Sequence, residues 1–113
     1  MTHAHRVDST QKSETKIQSA ILDMLKWHPK VAKAERRNVG GVYRNGRYIK
    51  YGNEGDLDIV GMLKGGRHFE IEIKMPGENP TDKQQENIDE ILGYGGLAGV
   101  AYSVEDAREI VER

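Results

Sequence analysis

Residues 67–74, Arg-His-Phe-Glu-Ile-Glu-Ile-Lys, alternate polar and apolar side chains with the period of a β-strand. Phe69, Ile71 and Ile73 then share one face, and His68, Glu70, Glu72 and Lys74 share the other. The preceding apolar run, Leu57 to Leu63, carries Asp58 on the same side as Val60 and Met62. If Lys64-Gly65-Gly66 closes a hairpin between the two, the register sets Asp58 opposite Glu72. A Gly65-Gly66 turn would shift the register by one and part them. Directly opposed residues have Cβ atoms about 5 Å apart, so two carboxylates there repel unless a cation or a shared proton lies between them. Such a pair suits a hard cation: Mg²⁺ takes oxygen ligands from one or two carboxylates, water and substrate phosphate. Lys74, two residues along the same face, would aim its ammonium at that site and stabilise charge building on a phosphate. The bland alternative is the wet face of a sheet with cross-strand ion pairs.

The elements that must position these residues are legible on either side. From Thr10 to Trp27, Ile17, Ala20, Ile21, Met24 and Leu25 have the spacing of an amphipathic helix. Pro29 closes it, and Trp27 and Met24 read as core. Glu14 lies one turn before Ile17, where it could reach the carboxylate pair as a further ligand or partner. Residues 1–9 are polar and expected to be a flexible N-terminus, leaving 10–113 as one domain. Asn45-Gly46 between Tyr43-Arg44 and Arg47-Tyr48 predicts a two-residue hairpin turn, since both central positions need positive φ. Thr81 or Asp82 would cap a second helix through Ile88, Ile91 and Leu92, ended by Gly93, Gly95 and Gly96. Leu97 to Ser103 reads as a strand buried on both faces. Ser103 would cap a last helix through Val111. The order is α-β-β-β-α-β-α, an α/β domain without repeats. The four His have no ligand spacing and read as surface or satisfied positions, Glu70 reads as solvated, and Gly61 as a place of close backbone packing.

Composition narrows the classes. The chain has 113 residues, 17 Lys+Arg, 18 Asp+Glu and no Cys, with a net charge of −1. Without Cys there is no disulfide scaffold, zinc ribbon or cysteine nucleophile. No apolar run approaches the roughly 20 residues of a membrane span and no signal-peptide h-region is present, so a cytoplasmic location is expected. The small net charge hides a segregation. Residues 26–50 carry eight basic side chains against Glu35 alone, whereas 51–113 carry six basic against fourteen acidic. A solvated basic face is one reading; a surface for a polyanion, beside an acidic region that holds a cation, is the sharper one.

The ordered set Gly-Asp-Leu-Asp58-Ile-Val-Gly, Glu70-Ile-Glu72-Ile-Lys74, Thr81-Asp-Lys-Gln84 and Gly95-Gly96 resembles the virus-type replication-repair nuclease (VRR-Nuc) domain, a branch of the PD-(D/E)-x-K nuclease superfamily. The match runs from about Ser13 to Arg108. The resemblance implies a restriction-endonuclease-like α-β-β-β-α-β core, with a central mixed sheet flanked by helices. It also implies phosphodiester hydrolysis with Mg²⁺ or Mn²⁺, one or two ions. Asp58, Glu72 and Lys74 would be the catalytic core, Glu14 the acid of the first helix, and Gln84 or Gln85 the glutamine that opens the second, Gln84 giving the better offsets. Asp58, Glu72, Glu14 and the Ile73 carbonyl would hold the metal. Leu57 stands where the family often has Pro, and Asp56 before it is an extra acid that could compete for the cation.

The implied partner is branched DNA such as a four-way (Holliday) junction, cut in replication, repair or recombination by a homodimer of the stand-alone phage type, in phage-infected or bacterial cytoplasm. Arg36, Arg37, Arg44, Arg47 and Lys50, with Tyr43, Tyr48 and Tyr51 interleaved, would hold the DNA backbone. A non-catalytic DNA-binding module and a small subunit of a larger phage or bacterial assembly are the alternatives.

Overall fold

The computed structural model describes residues 3–37 and 40–113, with side chains described for 13–37, 41–49 and 52–113. Helix α1 spans His3–Trp27 and is followed by strands β1 (Val31–Arg36), β2 (Gly40–Arg44), β3 (Arg47–Tyr51), β4 (Ile59–Leu63) and β5 (His68–Ile73). Helix α2 (Asp82–Gly93), strand β6 (Leu97–Ala101) and helix α3 (Val104–Glu112) complete the chain. The backbone of α1 is thus helical from His3, ahead of the start expected at Thr10.

Four strands form one mixed sheet in the order β1-β4-β5-β6, and among the described residues β2 and β3 pair only with each other. β1, β4 and β5 run antiparallel in turn, and β6 joins parallel to β5. A parallel neighbour needs a crossover, and α2 supplies it. Helices α1 and α3 cover one face, where Ile21 and Leu25 of α1 and Ala107, Ile110 and Val111 of α3 meet Ile59, Phe69, Ile71, Ile73 and Ala101. On the other face Ile88 of α2 packs with Leu57 and Ala98. The apolar side of α3 is therefore taken up by the domain's own sheet. No helix among the described residues is long and apolar enough to cross a membrane.

The local signals account for most element ends. Thr81 caps α2 with both halves of a capping box: its hydroxyl accepts from Gln84 N–H, and the Gln84 side chain accepts from Thr81 N–H. Ser103 caps α3 by accepting from Asp106 N–H. Asn45 and Gly46 take φ of 53° and 75°, the left-handed pair that a two-residue hairpin turn demands. A Cβ on Gly61 would lie 2.5 Å from the Lys33 carbonyl oxygen and 2.6 Å from Phe69 Cε2, so the expected close packing is present.

Three expectations are corrected. Strand β1 has no counterpart in the sequence reading, because Val-Ala-Lys-Ala-Glu-Arg has one strong strand former, is polar and lies at the sheet edge, so its conformation comes from pairing with β4. Trp27 is not core: it is 76% exposed at the end of α1, with the Lys26 ammonium 5.8 Å from its ring centroid. Ala20 is exposed as well, and Leu22 and Met24 pack against the core on that side of α1.

Candidate active site

The β4–β5 register follows the three-residue loop: Ile59 pairs with Ile71, Val60 with Glu70 and Gly61 with Phe69. Extended by one position, it sets Asp58 against Glu72, and the side chains complete the ladder. Glu72 Oε1 accepts the Asp58 N–H at 3.1 Å, and Asp58 Oδ2 accepts the Ile73 N–H at 2.8 Å. Each carboxylate thereby locks the other's strand.

The other predicted residues gather at this pair. Lys74 leaves the end of β5 with its Nζ 3.5 Å from Glu72 Oε2. Gln84 Nε2 donates to the same Oε2 at 3.0 Å while Gln84 Oε1 accepts from the α2 cap, so one amide ties the helix start to Glu72. Gln85 turns along α2 to Asp89 Oδ1 at 3.0 Å, which leaves Gln84 as the glutamine at the site. Glu14 comes from α1 into the same field: its carboxyl is raised by burial, then by repulsion from Glu78 and Asp58, with Lys74 opposing. Glu72 is pushed up to about 7, chiefly by burial and next by the Asp58 charge, while Lys74 pulls it down. The site is a carboxylate pair short of positive charge.

That deficit suits a divalent cation. Among the described residues no group of three or more His, Asp or Glu side chains is placed to hold a metal ion. Two adjacent carboxylates nonetheless match the habit of Mg²⁺, which takes one or two carboxylates and keeps several waters.

Glu70 corrects the expectation of a solvated acid. It is only 6% exposed, with Oε1 2.7 Å from Arg37 Nη1 and Oε2 2.7 Å from His68 Nε2. Arg37 also stands 3.5 Å from Asp56 Oδ1 and donates its backbone N–H to the Asp58 carbonyl at 2.7 Å. Asp56 in turn accepts from Asn53 N–H at 2.9 Å, which turns it toward the loop. Arg37 is thus drawn into holding the chain that carries Asp58. The only advance sign was the polar alternation that places Glu70 beside Glu72; its partner comes from β1's end, 33 residues away.

Glu78 is a second acid the sequence did not point to. It sits in the Pro76–Pro80 loop, held by Met75 N–H to its Oε1 at 2.7 Å and by Tyr102 Oη to its carbonyl at 2.8 Å. The Pro-Gly signal marked the loop, but not which helix it faces. His28, as expected, is satisfied: Nδ1 accepts from Lys30 N–H, and Nε2 is 3.0 Å from Glu112, joining the ends of α1 and α3.

The remaining basic residues lie on two separate elements, β1 and the β2–β3 hairpin. Arg36 ends β1 and is exposed; Arg44 and Arg47 face each other across the exposed tip of the β2–β3 hairpin. The Lys50 and Tyr51 side chains lie outside the described residues, as do those of His3 and His5. In comparison with known proteins, no family model matches this chain and no curated protein shows significant similarity to it.

Proposed function

We propose that this protein is a divalent-metal-dependent DNA endonuclease of the PD-(D/E)-x-K type, with a restriction-endonuclease-like core. The observation that carries the reading is the pairing of Asp58 with Glu72 at the open end of β4–β5, with the Lys74 ammonium 3.5 Å from Glu72. Two further observations support it. Setting aside the β2–β3 hairpin, the order α1, β1, β4, β5, α2, β6 is the α-β-β-β-α-β sequence of that core. Glu14 and Gln84 approach the pair from the two helices on which the resemblance expects them.

In this reading Asp58 and Glu72 would hold Mg²⁺ or Mn²⁺, with the Ile73 carbonyl as a further oxygen donor and Glu14 of α1 adding negative charge nearby. When bound, the cation supplies Lewis acidity toward the scissile phosphodiester. The chain's own groups do the rest. Gln84 fixes the Glu72 carboxylate, leaving it one orientation. Lys74 stabilises the negative charge that builds on phosphate as water adds at phosphorus and the P–O bond breaks. Exposed Arg36, Arg44 and Arg47, together with Lys50, hold the backbone of the substrate. The substrate class is branched DNA, the four-way junction above all, and a homodimer gives the two active sites that a two-fold junction needs.

One observation favours a second reading, a non-catalytic DNA-binding module or assembly subunit. The Asp58 and Glu72 oxygens already accept backbone amides, as a purely structural clasp would. Cleavage of end-labelled four-way junction, flap, duplex and single strand, in Mg²⁺, Mn²⁺ or EDTA, separates the two. Paired symmetric nicks in the junction, lost in EDTA and in Asp58→Asn, are the expected result. Retarded bands without product in any metal would leave only the binding module.

A further inference from the structure

Among the described residues the hairpin β2–β3 belongs to no larger sheet, and an isolated two-stranded hairpin is marginal in water. Its side chains sort onto two faces. Val42 pairs with Ile49 and Arg44 with Arg47 on one; Tyr43 pairs with Tyr48 on the other. Tyr43 and Tyr48 lean together with ring centroids 5.1 Å apart and planes at 55°. Tyr48 also lies over Gly41: a Cβ there would meet its Cε2 at 2.8 Å, so the glycine makes room for the ring. These aromatic groups are nevertheless open to solvent, Tyr43 at 76% and Tyr48 at 56%. Two exposed tyrosine rings, tilted against each other and uncovered among the described residues, leave aromatic faces open to a flat partner.

Charge selects the partner. Between Glu35 and Glu54 the chain has no acidic residue, and besides Arg37, which Glu70 and Asp56 engage, it has Arg36, Arg44, Arg47 and Lys50. Arg44 and Arg47 stand exposed at the tip, next to the tyrosines in each strand. Aromatic rings beside a basic track are the means by which proteins take hold of unpaired nucleotides, the rings stacking on bases and the cations following the phosphates. Neutral apolar partners would leave the tip arginines without a counter-charge.

We propose that the Tyr43–Tyr48 pair is a base-stacking platform for unpaired nucleotides, and that Arg44 and Arg47 guide the flanking phosphates. This rests on the reading of DNA as substrate and adds what the carboxylate site does not provide, a preference for DNA whose bases are open. The platform sits on an element separate from the catalytic sheet, so it can be altered without touching Asp58, Glu72 or Lys74.

The test measures binding in EDTA, where cleavage plays no part. The probes are a labelled oligothymidine and an abasic oligonucleotide of equal length, which has the same phosphates and no rings. Tyr43→Ala is expected to weaken oligothymidine binding at least about fivefold, the low end for loss of one stacked base, and to leave abasic binding unchanged. Tyr43→Phe should retain wild-type affinity, because the stacking face persists. Tyr48→Phe, which keeps the ring over Gly41, should likewise retain wild-type affinity. Equal losses on both probes, or no loss on either, would overturn the platform. So would a Tyr43→Ala protein that changes from dimer to monomer in sedimentation with unaltered oligothymidine affinity, since a second copy would then be the ring's partner. Cleavage of the junction in Mg²⁺ by the same variants separates the two readings. Ring-dependent binding without cleavage removes the nuclease and keeps the platform; cleavage with ring-independent binding does the reverse. A wild-type protein that binds neither probe removes the platform, and junction cleavage then decides the nuclease by itself.

Discussion

Asp58 and Glu72 exchange backbone for side chain: each donates or borders a main-chain N–H that the other's carboxylate accepts, Asp58 N–H to Glu72 Oε1 at 3.1 Å and Ile73 N–H to Asp58 Oδ2 at 2.8 Å. The arrangement holds two like charges side by side in a half-buried place. The cost appears in Glu72, whose carboxyl is raised from its ordinary 4.5 to about 7 by burial and by Asp58.

That shift sets the sign of the pH dependence. A carboxyl whose folded value exceeds its unfolded one keeps its proton longer in the folded protein, so the folded state binds more protons between about pH 4.5 and 7. Stability in EDTA should therefore fall as pH rises through that window, by up to about 3 kcal/mol at 1.36 kcal/mol per unit. Glu14, also raised, acts in the same direction. Urea denaturation at a series of pH values measures this. Glu72→Gln should flatten the profile and Mg²⁺ should restore stability at the alkaline end. A wild-type profile that is flat or rises from pH 4.5 to 7 would show that the pair does not carry this strain.

Lys74 separates chemistry from binding. Its ammonium sits at Glu72 and is only 16% exposed, so it adds little to a surface for DNA. Lys74→Ala should keep DNA affinity and lose cleavage. Turnover above about a tenth of wild type would be a loss of less than 1.4 kcal/mol, too little for stabilisation of transition-state charge. Single-turnover cleavage beside an equilibrium binding titration gives both numbers.

Arg37 and the hairpin arginines should behave oppositely. Arg37 is engaged by Glu70 and Asp56, and Glu70 is buried. Removing one partner of a buried pair costs about 3–5 kcal/mol, and the partly exposed Arg37 places the loss from Arg37→Ala at the lower end or below. The salt slope of DNA binding should not change in that variant. Arg44→Ala and Arg47→Ala should leave stability unaltered and each reduce the slope of log affinity against log salt by about 0.9. Denaturation and binding at several salt concentrations check the four expectations together, and a reduced slope in Arg37→Ala would return that residue to the DNA surface.

Gly61 tests the packing beneath the site. An alanine Cβ there meets the Lys33 carbonyl oxygen, which belongs to a paired strand and cannot turn aside, as well as the ring of Phe69. Gly61→Ala should destabilise by about 1–3 kcal/mol, the usual range for overpacking. A midpoint in urea equal to that of wild type would mean that β1 and β4 separate more easily than their ladder suggests.

Residues whose neighbours are near in sequence could be read without coordinates. The alternation of His68 to Lys74, the three-residue turn at Lys64 to Gly66, the Asn45-Gly46 hairpin and the caps at Thr81 and Ser103 are local rules of backbone geometry. The alternation and a three-residue turn set Asp58 opposite Glu72, a Gly65-Gly66 turn would have parted them, and the observed register is the former; the hairpin and the caps placed only their own elements. Only the resemblance, with its offsets to Ile88, Ile91 and Gly95, favours Gln84 over Gln85, and it is the Gln84 contact with Glu72 that decides between the two.

What the chain alone withheld depends on long-range partners. β1 is a strand because β4 lies beside it, and nothing in Val-Ala-Lys-Ala-Glu-Arg insists on that. Trp27 is apolar and at a helical offset, yet α1 ends there and the ring stands in water. Glu70 and Arg37 are ordinary charges in sequence, and only the meeting of β1's end with β5 buries the one and occupies the other. Burial and ion pairing are sums over neighbours brought from across the chain, so the tertiary structure decided them, whereas turn, cap and alternation were written into the residues themselves.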